Sequence, residues 1–375
     1  MEQIIDLIKK KADLLIERID PSNHMHESGI TLNGKYSDKE LYFTFYSPKH
    51  WTHSFLFGIM AHLYGTTKDD KYLEFIKKAK PVYWEYLSGK RNMVAHDAGF
   101  LYSLYAVALY KLTGDTEMRD MALKAADEIG KRFQFNPKVM DAFGDVYEDN
   151  HEDAIILMIV DDMMNMPLLM WAYEETNHSF YKQVFINHIN TAIKYLIRDD
   201  YSVRHAYHFD NKTGNPLCEM NYCGYSAGSH WARGTAWMIY GLTKALQYTG
   251  NEKIYLPTLI GVVEKYLHEL NGDIIPNWDF RAPTDEYIRK DTSAAAIVGC
   301  AFYWMKKMNS ENKFIKKYSD IGKEMFNALV EYIDCSNNEN ILFSDVKREF
   351  GSLWGDYFFT ELTMLANDTC VDFWI

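Results

Sequence analysis

The chain has 375 residues, 47% hydrophobic and 25% charged, with 52 acidic against 40 basic side chains and a net charge of −12. This length holds two average domains or one large one. The acidic balance, with no basic block or stripe, argues against nucleic acid and anionic membranes as partners. An aromatic share of 15%, from 27 Tyr, 21 Phe and 9 Trp, supplies flat platforms with polar tips that suit sugar faces or a large helical core.

The first predicted helix, over 4–19, carries apolar residues at 4, 5, 8, 12, 15, 16 and 19. Glu2 and Asp6 stand where a secretory leader would be basic, and no charge-free run reaches the roughly 18 residues of a membrane span, so a cytoplasmic location is expected. Turn signatures at 63–69, 112–115, 175–178, 248–251 and 307–311 each follow a helix-like stretch ending in aromatic residues or Leu. Each precedes another such stretch, as in Tyr72, Phe75, Ile76 and Ala79, which predicts five helix hairpins. Their spacing, roughly 50 to 70 residues, exceeds that of common helical solenoids. The extra length falls in 141–153 and 201–225, loops of the kind that build sites. The helix near 357–365 is expected to pair with the first as a sixth hairpin and close a ring. No linker divides the chain, so one domain over 1–375 is expected, and no strand pattern is long enough for a large sheet. The five cysteines, Cys218, Cys223, Cys300, Cys335 and Cys370, lack zinc-ligand spacing and are expected to be reduced.

The candidate chemistry lies where acids interrupt apolar sequence. In the run from Ile159 to Leu169, Asp161 and Asp162 are flanked by Val160, Met163 and Met164. A carboxylate buried without a partner costs several kcal/mol or keeps its proton. On a helix Asp161 and Asn165 would share a face and Asp162 would point elsewhere, and Pro167 requires a kink or a helix that starts near it. Asp97, between His96 and the helix that begins near Phe100, has a similar setting. For both acids a plain helix N-cap is the competing reading. Arg233, after Trp231, fits either a substrate carboxylate or an internal salt bridge; Trp51 and His205 fit a site or a core. Asp161, Asp162 and Asn165 also match half of the magnesium-diphosphate motif of helical isoprenoid synthases, but no second acidic motif accompanies them.

Taken together, the ordered segments resemble the unsaturated glucuronyl hydrolases of glycoside hydrolase family 88 and, more distantly, the unsaturated rhamnogalacturonyl hydrolases of family 105. The matching pieces are the Trp51 segment, His96 to Phe100, Asp161 with Asn165 and 167–172, Gly224 to Ser226, and Trp231 to Gly234. Trp278 to Phe280, Asp291 to Ala296 and Trp354 to Tyr357 complete the series. The resemblance implies an all-α six-hairpin α/α barrel without metal or organic cofactor, present as a monomer or small homo-oligomer. It implies release of a 4,5-unsaturated uronic acid from lyase-generated, glycosaminoglycan-type oligosaccharides by acid/base hydration of the C4=C5 enol ether. Asp161 is then the acid/base and Asp97 the second essential carboxylate. His96, Trp51, His205, Trp231, Arg233 and Asn165 fall among the substrate-binding positions.

Four departures from the family pattern bear on the substrate pocket. Tyr222 and Cys223 replace a His-Gln pair, Ser54 stands where Gly is usual, Arg281 stands where an acid is common, and 343–348 lacks a Ser-Gly-Lys-Gly pattern. A pectin-type hydrolase and a noncatalytic carbohydrate-binding scaffold are the alternative functions.

Overall fold

One repeated device builds four of the turns. The structure, a computed structural model, describes residues 2–22, 51–88, 96–142, 155–283, 290–308, 312–333, 344–345, 350–351 and 353–375. Thr67 Oγ1 donates back to the Leu63 carbonyl at 2.7 Å and accepts the Asp69 N–H at 3.2 Å, while Lys68 between them takes a left-handed φ of 58°. Thr113, Thr176 and Thr249 repeat the pattern around Gly114, Asn177 and Gly250. The left-handed residue satisfies the last helical carbonyls, and Asp69 and Asp115 then cap the next helix through Lys71 N–H and Glu117 N–H. In the fifth turn, 309–311 lie outside the described residues, as do 143–153 of the first long loop.

The helices are α1 (Glu2–Arg18), α2 (His53–Thr67), α3 (Asp70–Lys77), α4 (Lys80–Ser88), α5 (Ala98–Tyr102), α6 (Ala108–Thr113) and α7 (Thr116–Gly130), with a π turn, Ser103–Val107, between α5 and α6. They continue as α8 (Asp162–Asn165), α9 (Pro167–Thr176), α10 (Ser179–Leu196), α11 (Ala232–Thr249), α12 (Glu252–Glu269), α13 (Thr292–Lys307), α14 (Lys313–Val330) and α15 (Leu353–Ala366). In order, α2, α5 with α6, α8 with α9, α11, α13 and α15 each pack on the next, and α15 packs on α2, which closes an inner ring. Outside it, α3, α7, α10, α12 and α14 are the return arms of their hairpins, and α1 packs against α15 and α2 as the sixth. The fold is the expected six-hairpin α/α barrel. Burial explains the layering: α13 is buried without a break from Ser293 to Met305, as an inner helix must be, whereas α3 buries only Tyr72, Leu73, Phe75 and Ile76.

Among the described residues the sheets are small. β1 (Phe133–Gln134) pairs with β2 (Val139–Met140), and β6 (Ser344–Asp345) with β7 (Phe350–Gly351). β3 (Ile155–Ile159), β4 (Ala206–Asp210) and β5 (Pro216–Met220) form an antiparallel sheet in that order. β3 runs into the apolar stretch and takes only its first residue, Ile159, before the helices α8 and α9. The strand is buried on both faces from Ile156 onward, so it lacks the alternation that would have marked it. Pro167 opens α9 as its first residue, which separates α9 from the single turn of α8.

The barrel axis is filled with rings from four inner helices: Phe55 on Phe100 (5.5 Å), Phe100 on Trp237 (5.4 Å), Trp237 on Phe358 (5.4 Å) and Phe358 back on Phe55 (5.9 Å). Beneath them the C-terminal tail inserts Trp374, parallel to Phe358 and 1% exposed. Its indole N–H donates to Glu361 Oε2 at 3.1 Å and its carbonyl accepts Tyr248 O–H at 2.8 Å. Glu361 also accepts from Tyr240 O–H at 2.5 Å and Trp304 N–H at 2.9 Å, and the fully buried Lys244 pairs with Asp372 at 2.8 Å. These partners allow charge so deep in an aromatic core.

At the opposite end α5 and α8 meet backbone to backbone. A Cβ on Gly99 would lie 2.3 Å from Asn165 Cα, so glycine is required for the approach. Gly99→Ala should cost about 1–3 kcal/mol or more by overpacking. Trp374→Ala should cost about 3–5 kcal/mol. Urea denaturation of each variant checks both values.

Candidate active site

The beginnings of all six inner helices carry residues singled out in the sequence. Trp51 precedes the Thr52 N-cap of α2, and Asp97, Asp161, Trp231 and Asp291 are the N-cap residues of α5, α8, α11 and α13. Trp354 is the second residue of α15. The side chains converge: Trp51 lies 5.0 Å from Trp354, and the Arg233 guanidinium lies 4.7 Å from the Trp231 ring and 5.0 Å from Trp354.

Asp97 and Asp161 occupy N-cap positions, yet neither side chain caps. Asn165 takes over that duty for α5: its Oδ1 accepts the Phe100 N–H at 2.9 Å, the bond an N-cap oxygen would ordinarily make. Its Nδ2 donates to the Asp161 carbonyl at 3.3 Å. Asn165 is fully buried and fastens the two acid-bearing segments together. The diphosphate-motif comparison fails, since Asp162 is also fully buried and bonded to His96.

Asp161 follows β3 directly. The β3–β4 ladder, with Ile159 opposite Ala206, extends by a bond from Val160 N–H to the His205 carbonyl at 2.9 Å, which sets Asp161 beside the His205 ring. His205 Nδ1 accepts the N–H groups of Tyr222 and Cys223 at 2.9 and 3.0 Å, so the proton of the neutral ring sits on Nε2. Nε2 lies 3.7 Å from Asp161 Oδ2, too long for a hydrogen bond, and neither atom has a partner among the described residues. Burial first, and then the Asp97 charge, push the Asp161 carboxyl up to about 7 against the pull of His96 and Arg233. Burial, then Arg233, push His205 down to about 4, so it stays neutral.

The Asp97 carboxyl is 18% exposed, as is that of Asp161, and both reach the opening between the helix ends. Burial raises its pKa as well, opposed chiefly by His96, whose Nε2 lies 3.5 Å from Asp97 Oδ2. Burial also disfavours the His96 cation, but Asp97 and Asp162 outweigh it and hold its proton up to about 9.

The predicted substrate contacts therefore divide into two layers. His96, His205, Asn165 and Trp231 are all buried behind the acids. Trp231 has His205 4.8 Å away on one side and Arg233 close by, so it backs the site and offers no open stacking face. Trp51, Arg233, Tyr222 and Cys223 lie farther forward. Arg233 Nη1 donates to Asp291 Oδ2 at 3.1 Å, which realises the salt-bridge reading, while its Nε is buried without a partner among the described residues. Tyr222 is half exposed and its hydroxyl meets His208 Nε2 at 3.1 Å.

Two departures prove to lie off the pocket. Arg281 bonds the Gly228 carbonyl at 2.7 Å and Asp200 at 3.0 Å, tying down the 224–230 loop from outside. Ser54 is buried against the Tyr83 hydroxyl. Of the stretch 343–348, residues 343 and 346–348 lie outside the described residues.

Three residues missed as site components are Asp162, Asp291 and Trp354. Asp291 caps α13 through Ala294 N–H and holds Arg233, and Trp354 N–H donates to Ser293 Oγ at 3.0 Å. Their sequence signals were an Asp-Thr-Ser cap motif and a Trp at a helix start, which carry no function until Arg233 is seen between them.

Residues 25–359 match Glycosyl Hydrolase Family 88. The chain is 29% identical over 335 residues to an unsaturated glucuronyl hydrolase from Bacillus sp. (strain GL1), covering 86% of this chain and 88% of the relative. It is 30% identical over 326 residues to an unsaturated chondroitin disaccharide hydrolase from Streptococcus pneumoniae, covering 83% and 80%. The solved structure of the Bacillus sp. GL1 unsaturated glucuronyl hydrolase, responsible for the degradation of glycosaminoglycan, aligns with a TM-score of 0.86 at 27% identity over 99% of this chain and 97% of that one. That of unsaturated glucuronyl hydrolase from Streptococcus agalactiae aligns with a TM-score of 0.84 at 26% identity over 100% and 93%. With a family match that spans most of its length, the chain belongs to Glycosyl Hydrolase Family 88.

Proposed function

We propose that this glycoside hydrolase releases the 4,5-unsaturated uronic acid from the non-reducing end of glycosaminoglycan-type oligosaccharides, with Asp161 as its acid/base. The observation that carries this reading is the largely buried Asp161 carboxyl, whose Oδ2 has no partner among the described residues and which keeps a proton to about pH 7 at the place where the inner helices begin. Protonated Asp161 gives its proton to C4, and positive charge develops at C5 and the ring oxygen. Asp161, now a carboxylate, takes a proton from the water that adds at C5. The C5 hemiketal opens, the ring oxygen takes up the proton lost by the C5 hydroxyl, and collapse at C1 expels the remaining sugar as an alcohol. One water is consumed. The anomeric carbon is not attacked, so carboxylate separation does not set the outcome as it does in retaining and inverting enzymes.

Asp97, whose charge His96 favours against the effect of burial, stabilises the charge that develops near C5. Arg233 is the cation for the uronate carboxylate, which also benefits from the helix N-termini around it. Trp51 and Trp354 form the wall, and Tyr222 and Cys223 stand at the rim, where the neighbouring sugar is selected. A substrate that is a small soluble oligosaccharide accords with the described helices, none of which is long and apolar enough to cross a membrane.

Loss of near-ultraviolet absorbance from lyase-generated disaccharides of chondroitin, hyaluronan, heparin and rhamnogalacturonan tests the reading. Turnover is expected on the glycosaminoglycan substrates, and Asp161→Asn should lower kcat by about 10²–10⁴-fold. Turnover unaffected by that substitution would overturn the assignment. The acid must be protonated, so kcat/KM should fall about tenfold per pH unit above about pH 7. Stability moves with the same proton. A carboxyl that titrates near 7 when folded and near 3.8 when unfolded contributes stability below about pH 4 that is lost as pH rises through 7. Asp161→Asn should accordingly gain in Tm relative to the native chain between pH 4 and pH 8, as read by calorimetry.

A further inference from the structure

Asp162 is fully buried at the first position of α8, directly after the acid/base and out of reach of any sugar. Its Oδ1 lies 2.8 Å from His96 Nδ1, and its Oδ2 faces the Ile159 N–H at 3.4 Å. An ionised carboxylate only accepts, so the hydrogen between Asp162 and His96 belongs to Nδ1. His96 Nε2 then faces Asp97 Oδ2 at 3.5 Å. A bare nitrogen there would set a lone pair against a carboxylate, so a proton must lie on Nε2 or on Asp97. We propose that Asp162 is a positioning residue for the reaction: it fixes the tautomer and orientation of His96, so that His96 and Asp97 hold one proton between them beside Asp161.

His96 exerts the largest pull on the Asp97 carboxyl, ahead of a side-chain hydrogen bond from Asn165 and the charge of Arg132. The titratable and charged groups around His96 are Asp97 on its own segment, Asp161 and Asp162 at the start of α8, His188 on α10, His205 ahead of β4 and Arg132 after α7. His188 Nδ1 accepts the Met140 N–H at 3.0 Å, and burial, with His96 nearby, lowers its pKa. His205 is neutral and locked by two backbone donors. Arg132 donates to the Asp141 carbonyl at 3.1 Å. A carboxylate that fixes the far nitrogen of a catalytic imidazole is known to act on the reaction without touching substrate. Here the imidazole passes that influence to Asp97, and the Asp97 charge helps to hold the proton on Asp161. In Asp162→Asn, the amide nitrogen can donate to Nδ1 and leave a neutral ring with its proton on Nε2, which removes the cation beside Asp97.

The catalytic part of this role rests on the hydration reading above, and the tests separate the two. By histidine nitrogen NMR, native His96 should keep Nδ1 protonated throughout and lose its second proton, from Nε2, near pH 9; in Asp162→Asn the imidazolium should instead lose its proton from Nδ1, at least about 2 pH units lower. Asp162→Asn should lower kcat about 10²-fold with KM within about threefold, and in a His96→Gln background the same substitution should cost less than about threefold. Equal losses in both backgrounds, an unmoved His96 titration, or loss of the proton from Nδ1 in the native protein would each overturn the proposal. The native spectrum decides the tautomer even if Asp162→Asn fails to fold. Absence of turnover by the native enzyme would overturn the substrate reading and leave the NMR result standing.

Discussion

The contact between Gly99 and Asn165 is the constraint on which the mouth of the barrel depends. Only without a side chain at 99 can α5 come so close to α8 that Asn165 reaches the Phe100 N–H and the Asp161 carbonyl at once. That one amide sets the separation of two acids that lie 64 residues apart in sequence (161 − 97). Helix propensity has little part in it, because α8 is a single turn and α5 is five residues long. Packing against neighbours holds them, as is usual for such short helices.

The same arrangement resolves a conflict between two physical demands. A helix N-terminus stabilises an anion, so an acid at an N-cap ordinarily ionises and bonds the backbone. An acid that donates a proton near neutral pH needs the opposite. Because Asn165 supplies the capping oxygen to α5 from a neighbouring helix, Asp97 is released from that duty. Among the described residues Asp161 is left without a donor on Oδ2, and burial outweighs the helix end. The site thereby carries a local instability that the aromatic core and the buried Glu361 and Lys244 networks below it can tolerate.

Four of the hairpin turns were legible in sequence because they rest on local chemistry, a Thr followed by a left-handed residue, with a capping Asp next in two of them. The two candidate acids stood out in sequence too, since a charge inside an apolar run is conspicuous. Their depth was not. His96, His205 and Trp231 look like ligand contacts in sequence, yet they stand behind the carboxylates, because the β3–β4 register and the Gly99 approach are long-range facts with no local signature. Asp162 was set aside because a regular helix would turn it away from Asp161. The strand ending at Ile159 makes that very turn useful, directing one acid outward to the opening and its neighbour inward to His96.

The tail that carries Trp374 has a further consequence. It packs under the ring layer on the side away from the acids, so among the described residues Asp97 and Asp161 are backed by solid aromatic core. On the hydrolase reading proposed above, the sugar that meets Asp161 is therefore a chain end, and the released uronate and the shortened chain leave on the side from which they came.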